Sequence, residues 1–240
     1  MDVEAGTTPP YARISAAAEL PAALDALRVP PSRPTLVCVG GAGRMSGENL
    51  AQIEQVVGEQ IVPALERHDA IVVDGGTDAG IMRMLGSARA AHQARFPLLG
   101  VAAVGTVRVP DHESPNPDAA DLEPRHTGVI LVPGTEWGDE SVWIARIATH
   151  LAGGAPSATL VVNGGQITYQ DVEHSLAAGR HVLIVAGTGR TADAIADAVA
   201  DGMAADPRTA AIASSPLVSV TRLDRPQDVG TAVEDALTGH

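Results

Sequence analysis

Seven short runs rich in apolar and β-branched residues, near 35–39, 70–74, 98–104, 128–132, 158–163, 181–186 and 216–220, alternate with helical stretches near 48–67, 78–94, 139–152, 170–178, 191–202 and 227–237. Strands that are apolar at successive positions must be covered on both faces, and a helix between each pair returns the chain for parallel pairing. The alternation predicts a Rossmann-like α/β fold, a parallel sheet of about seven strands with helices on both faces. At 240 residues the chain can bury a substantial core in one such domain. Residues 1–34 are read as an N-terminal arm (1–14) and an alanine-rich helix (about 15–28) followed by a proline-rich linker, and 35–240 as a single domain. One stretch, 105–127, breaks the alternation with Pro110, Pro115, Pro117 and Pro124, and is expected to be a long loop.

Composition narrows the function. The net charge of −13 opposes broad binding to nucleic acids or anionic membranes, which are polyanions that need a basic footprint. No apolar run approaches 18 residues and the polar start lacks a signal-peptide core, so no membrane partner and a cytoplasmic location are expected. All 16 basic residues are arginines, which excludes Schiff-base lysine chemistry and a Walker-type loop. Cys38, the one cysteine, lies in an apolar run and reads as a core residue. The histidines show no metal-binding spacing, and Asp111-His112-Glu113 reads as solvated loop; neither a metal site nor a required cofactor is expected.

In an open parallel sheet the ligand crevice lies beyond the carboxyl ends of the strands, where helix N-termini direct free N–H groups. Five such junctions are rich in glycine. They are Gly40-Gly41-Ala42-Gly43-Arg44, Gly75-Gly76-Thr77, Pro133-Gly134-Thr135-Glu136, Asn163-Gly164-Gly165 and Gly187-Thr188-Gly189-Arg190. Glycine lets backbone approach a phosphate closely, and a guanidinium inside such a loop suits bidentate contact with one. The expected ligand contacts are Gly40, Gly41, Gly43, Arg44, Gly75, Gly76, Thr77, Gly134, Thr135, Gly164, Gly165, Gly187, Thr188, Gly189 and Arg190. Arg83 and Arg125 are weaker choices, on a helix face and in the long loop. Asp74 could accept from a ribose hydroxyl or fix its own loop.

The ordered motifs Val73-Asp74-Gly75-Gly76-Thr77-Asp78-Ala79-Gly80-Ile81-Met82, His126-Thr127-Gly128-Val129-Ile130-Leu131-Val132, Val161-Val162-Asn163-Gly164-Gly165 and Val185-Ala186-Gly187-Thr188-Gly189-Arg190-Thr191-Ala192-Asp193 resemble the SLOG superfamily. This Rossmann-like group includes the LOG phosphoribohydrolases and the Smf/DprA proteins. Within it the chain is most similar to prokaryotic stand-alone relatives of the ligand-sensing domain of melastatin-type TRP channels. The resemblance, over residues 35 to about 203, implies a cleft for ADP-ribose or a similar nucleotide, touched by the Gly75-Gly76-Thr77 turn, the Gly164-Gly165 turn and the Gly189-Arg190 pair.

LOG enzymes carry a PGGxGTxxE signature whose glutamate works on the N-glycosidic bond. Here the stretch Pro133-Gly134-Thr135-Glu136-Trp137-Gly138-Asp139-Glu140 departs from it, with an extra residue before Gly138 and no GT-x-x-E order. Glu136, Asp139 and Glu140 are the candidate catalytic carboxylates, and Asp139 and Glu140 read equally as helix-starting residues that favour the helix dipole. Two expectations follow: a sensor that binds a phosphorylated nucleotide such as ADP-ribose, or a nucleotide N-glycosidase acting on AMP or a modified AMP. A homodimer or higher homo-oligomer is expected in either case.

Overall fold

The computed structural model describes residues 8–41 and 45–239. In chain order the elements are β1 (Tyr11–Arg13), α1 (Leu20–Ala26), β2 (Thr35–Gly40), α2 (Gly47–Val56), α3 (Val62–Arg67), β3 (Ile71–Asp74), α4 (Gly80–Ala91), β4 (Leu98–Ala103), β5 (Val107–Arg108), β6 (Ala120–Asp121), β7 (Gly128–Val132), α5 (Ser141–Ala152), β8 (Ser157–Val162), α6 (Gln166–Ala177), β9 (His181–Ala186), α7 (Arg190–Asp201), α8 (Pro207–Ala213), β10 (Val218–Arg222) and α9 (Pro226–Thr238). Eight of the strands form one parallel sheet in the order β1-β7-β4-β3-β2-β8-β9-β10; β5 and β6 make a separate two-stranded ribbon. From β2 the chain builds outward through β3 and β4 on one side, then returns to build outward through β8, β9 and β10 on the other. The order reverses between β2 and β8, and that reversal opens the crevice of a doubly wound sheet.

Alternate side chains of each strand enter different cores, the two-residue period of a pleated strand. Val37, Val39, Val73, Val101, Ile130 and Val161 pack under α1, α5, α6 and α7. Leu36, Cys38, Val72, Leu98, Leu160 and Val162 pack under α2, α3, α4 and α9. Both layers are buried, which is why the inner strands read as unbroken apolar runs.

The fold is the expected α/β sheet, with eight strands in place of about seven. The additional strand, β1, falls within the stretch expected as a loose arm. It adds to the edge in parallel register, Tyr11 opposite Val129, and is fixed by bonds from Val129 N to the Pro10 carbonyl (2.9 Å) and from Ile14 N to the Leu131 carbonyl (3.0 Å). Three residues with one neighbouring strand need no apolar run, so pattern could not mark it. The helical stretch expected over 48–67 is α2 and α3 joined by a π turn at Val57–Ile61. Pro63 follows, and a proline cannot donate to the carbonyl one turn back. The helix α8 was missed, although Asp206 before Pro207 caps it by accepting from Arg208 N and Thr209 N, each at 2.9 Å. The long loop contains the β5–β6 ribbon, and Asp111 within it pins the loop to β1 by accepting from Arg13 (2.9 Å) and from the Tyr11 hydroxyl.

A buried ionic cluster holds that loop to the sheet. The His126 imidazole meets Asp74 Oδ1 through Nε2 at 2.8 Å and Glu123 Oε2 through Nδ1 at 2.9 Å, with all three side chains fully buried. Burial by itself lowers the imidazole's pKa, but the two carboxylates outweigh it and raise it to about 9. Arg125 reaches Glu123 Oε1 at 3.1 Å, and Arg83 pairs with Asp78 at 2.7 Å, so neither of these arginines is free. Asp74 Oδ1 also accepts from Gly76 N at 2.8 Å: Asp74 fixes its own turn.

Because the folded state holds the His126 proton more tightly than the unfolded chain, its stabilisation is complete below an ordinary histidine pKa of about 6.5 and is lost as pH rises toward 9. Urea unfolding should show stability declining across that alkaline window. His126→Ala, which strands two buried carboxylates, should cost roughly 3–5 kcal/mol and remove the decline.

Candidate functional site

At the carboxyl ends of β2 and β8 the two strands stay paired to their last residues, Gly40 opposite Val162. Gly40 has φ +130°, and a Cβ there would stand 1.8 Å from the Val162 carbonyl oxygen, so only glycine lets the chain leave β2 at this point. Beyond it lies a cavity of about 500 Å³. It is bounded by the turns after β2, β3 and β8, the start of α7, and a wall contributed by α5, α6 and the loop before α5.

Two loops are tied together to make one rim. Asn163 N donates to Thr188 Oγ1 at 2.7 Å, Asn163 Nδ2 to the Thr188 carbonyl at 2.8 Å, and Thr191 Oγ1 to the Gly165 carbonyl at 3.0 Å. Asp193 closes the loop after β9 by accepting from Gly187 N at 2.7 Å. Arg190 then starts α7 at φ +54°, a backbone region that disfavours side chains, with its guanidinium against Gly165: a Cβ at 165 would meet it at 2.8 Å. Arg190 is exposed, lines the cavity, and makes no hydrogen bond or ion pair among the described residues.

Of the expected contacts, Gly40, Gly41, Gly75, Thr77, Gly165 and Arg190 line this one cavity. Gly76, Gly134, Thr135, Gly164, Gly187, Thr188 and Gly189 lie in the turns around it and are not among its lining residues. Gly76 abuts Gly100 across β4, Gly164 abuts Thr168, and Thr188 is buried as the bridge just described. Gly43 and Arg44 fall outside the described residues.

The three candidate carboxylates separate. Asp139 turns back on its loop, accepting from Thr135 N (2.9 Å) and Glu136 N (3.1 Å). Glu136 is exposed and does not line the cavity. Glu140 does: it is 8% exposed, takes Gly138 N on both oxygens (3.2 and 3.0 Å), and has its pKa raised by burial.

Sequence reasoning missed Asp171, Trp137, Gln166 and Thr168 in the wall. Asp171, on α6, is 8% exposed; burial and nearby Glu140 raise its pKa to about 7, partly offset by Ser141. The helix that carries it, α6, begins at Gln166, directly after Gly165, and not near 170 as expected. Cys38 is fully buried as expected and also borders the cavity, its thiol pKa pushed well up by burial. Among the described residues no group of three or more His, Cys, Asp or Glu could hold a metal ion, and no helix is long and apolar enough to cross a membrane.

A switch-point crevice ringed by glycine turns and helix N-termini belongs to a Rossmann-like fold, in which such crevices are the usual place for small-molecule ligands. A family model described as "SLOG in TRPM, prokaryote" matches residues 33–231, and the chain belongs to that family. A solved structure, that of TM1055, a structural-genomics target, shares the fold: TM-score 0.53 and 19% identity, covering 84% of this chain and 98% of that one. No curated protein matches the chain.

Thr188→Val keeps the shape but removes the hydroxyl that accepts from Asn163 N and donates to the Val185 carbonyl (2.7 Å). Thermal or chemical unfolding should show a loss of about 1–3 kcal/mol.

Proposed function

We propose that this chain binds a phosphorylated, nucleotide-derived ligand such as ADP-ribose in the cavity at the carboxyl ends of β2 and β8. The observation that carries this reading is Arg190. A strained backbone places its guanidinium beside the Gly164-Gly165 turn with no protein partner among the described residues. An arginine held unpaired at a glycine-lined crevice fits charge-assisted, bidentate contact with phosphate oxygens. The N-termini of α6 and α7, capped by Gly165 and Gly189, lie on the same rim, where the dipole ends of helices favour anions. Membership of the SLOG family supports a nucleotide-related role in general.

A second reading, hydrolysis of the N-glycosidic bond of AMP or a modified AMP, draws on Glu140, a buried carboxyl in the same cavity wall. Such a group could stabilise an oxocarbenium-like ribose.

Calorimetric titration with ADP-ribose, coupled to chromatography of the recovered ligand, separates the two. Binding with the ligand unchanged is expected; free base accumulating in proportion to protein would establish the hydrolase instead. Arg190→Ala should weaken ADP-ribose binding by about 1.5–3 kcal/mol, the worth of a hydrogen bond to a charged group, and unchanged affinity would remove Arg190 from the site.

A further inference from the structure

The Gly75-Gly76-Thr77 turn, which gives the cavity two of its lining residues, is held from two sides by groups that meet at one imidazole. From its own strand, Asp74 Oδ1 accepts from Gly76 N at 2.8 Å. From the long loop, Glu123 N donates to the Gly76 carbonyl at 3.0 Å, Leu122 bridges to Thr77 in the antiparallel sense, and Asp78 N donates to the Asp121 carbonyl at 2.9 Å. His126 closes the ring, with Nε2 on Asp74 and Nδ1 on Glu123. A carboxylate at each ring nitrogen requires both nitrogens to donate, and only the protonated imidazole does so. The other charged or titratable groups around the cluster are Arg125, bonded to Glu123, Arg83 and Arg89 of α4, within electrostatic reach of Glu123, and the Cys38 thiol of β2, which feels Asp74.

Loss of the ring proton leaves one N–H for two carboxylates, so one of them faces a nitrogen lone pair with all three side chains fully buried. Neither carboxylate has a better place nearby: Asp74 Oδ2 already lacks a partner among the described residues, and Glu123 is pressed against Gly86 of α4. The conflict is relieved by parting residues 121–123 from the turn. We propose that His126 is a proton-operated latch of the site: its imidazolium fixes the Gly75–Thr77 turn for the ligand, and loss of the proton frees the turn and lowers affinity. The inference rests on the nucleotide reading above and adds a control to it, with His126 as a positioning residue that does not itself line the cavity. The two carboxylates keep the proton on the ring up to about pH 9, so the turn is latched at neutral pH and loosens as pH rises through that value. Binding and protonation are linked, so a bound ligand in turn tightens the hold on the proton.

The test is calorimetric titration of the whole chain with ADP-ribose, whose diphosphate keeps its charge throughout, between about pH 7 and about pH 10. Circular dichroism at each pH ensures that affinity is read on folded protein. Wild type should lose about fivefold or more in affinity, with a midpoint near pH 9. Near that midpoint binding should take up protons, read as a heat that varies with the ionisation enthalpy of the buffer. His126→Gln should bind weakly already at neutral pH and show no change with pH. Glu123→Gln, which removes one of the two carboxylates, should move the midpoint to lower pH. Constant affinity across the range in wild type, or a midpoint that stays in place in Glu123→Gln, would overturn the latch and leave the nucleotide reading intact; no binding at any pH would overturn the two together. Should His126→Gln not fold, the midpoint of Glu123→Gln decides alone.

Discussion

The imidazole of His126, buried between Asp74 and Glu123, is the contact on which the arrangement of the site depends. It joins the end of β3 to the loop that precedes β7. Asp74 carries the clamp to Gly76 N, and Gly75 and Thr77 on either side line the cavity. On its other side Glu123 fills the space over Gly86 of α4, where a Cβ would lie 2.3 Å from its Oε2. Strand, helix and loop are therefore tied to one another through this cluster. A buried ion cluster is weak support for overall stability, because desolvating its charges offsets their attraction. Its consequence here is positional: with one partner removed the others are stranded, so the glycine turn has a single low-energy placement.

That placement explains what could be read from sequence and what could not. The inner strands were legible because both faces of each are covered, which forces continuous apolar runs such as Leu36-Val37-Cys38-Val39. The edge strand β1 was not, since its three residues are only partly buried and its register is set by contacts across more than a hundred residues of sequence. Glycine in a βα turn marked turns that surround the cavity but could not say which glycines border it and which face another strand. Gly75 borders the cavity while Gly76, next to it, abuts Gly100. Asp171 was illegible because nothing local distinguishes an aspartate within a helix. Its character comes from the packing of α6 on α5, which removes water from its carboxyl and brings Glu140 near it.

The charge balance of the chain gives the polarity of the cavity its meaning. A net charge of −13 repels an anionic ligand at long range, and salt screens that field beyond roughly 8 Å at physiological ionic strength. Under the proposed reading attraction must therefore be local, which is what an arginine without a partner among the described residues and two helix N-termini on one rim would provide. The opposite wall is acidic. A simple polyphosphate filling the whole cavity would lie against the carboxyl groups of Glu140 and Asp171, whereas under the proposed reading a ligand with its phosphate confined to the Arg190 end avoids them. Under the proposed reading the acidic wall thus limits the ligand to one orientation and excludes compounds that are anionic throughout, so the selectivity of the site comes as much from the end that repels phosphate as from the end that binds it.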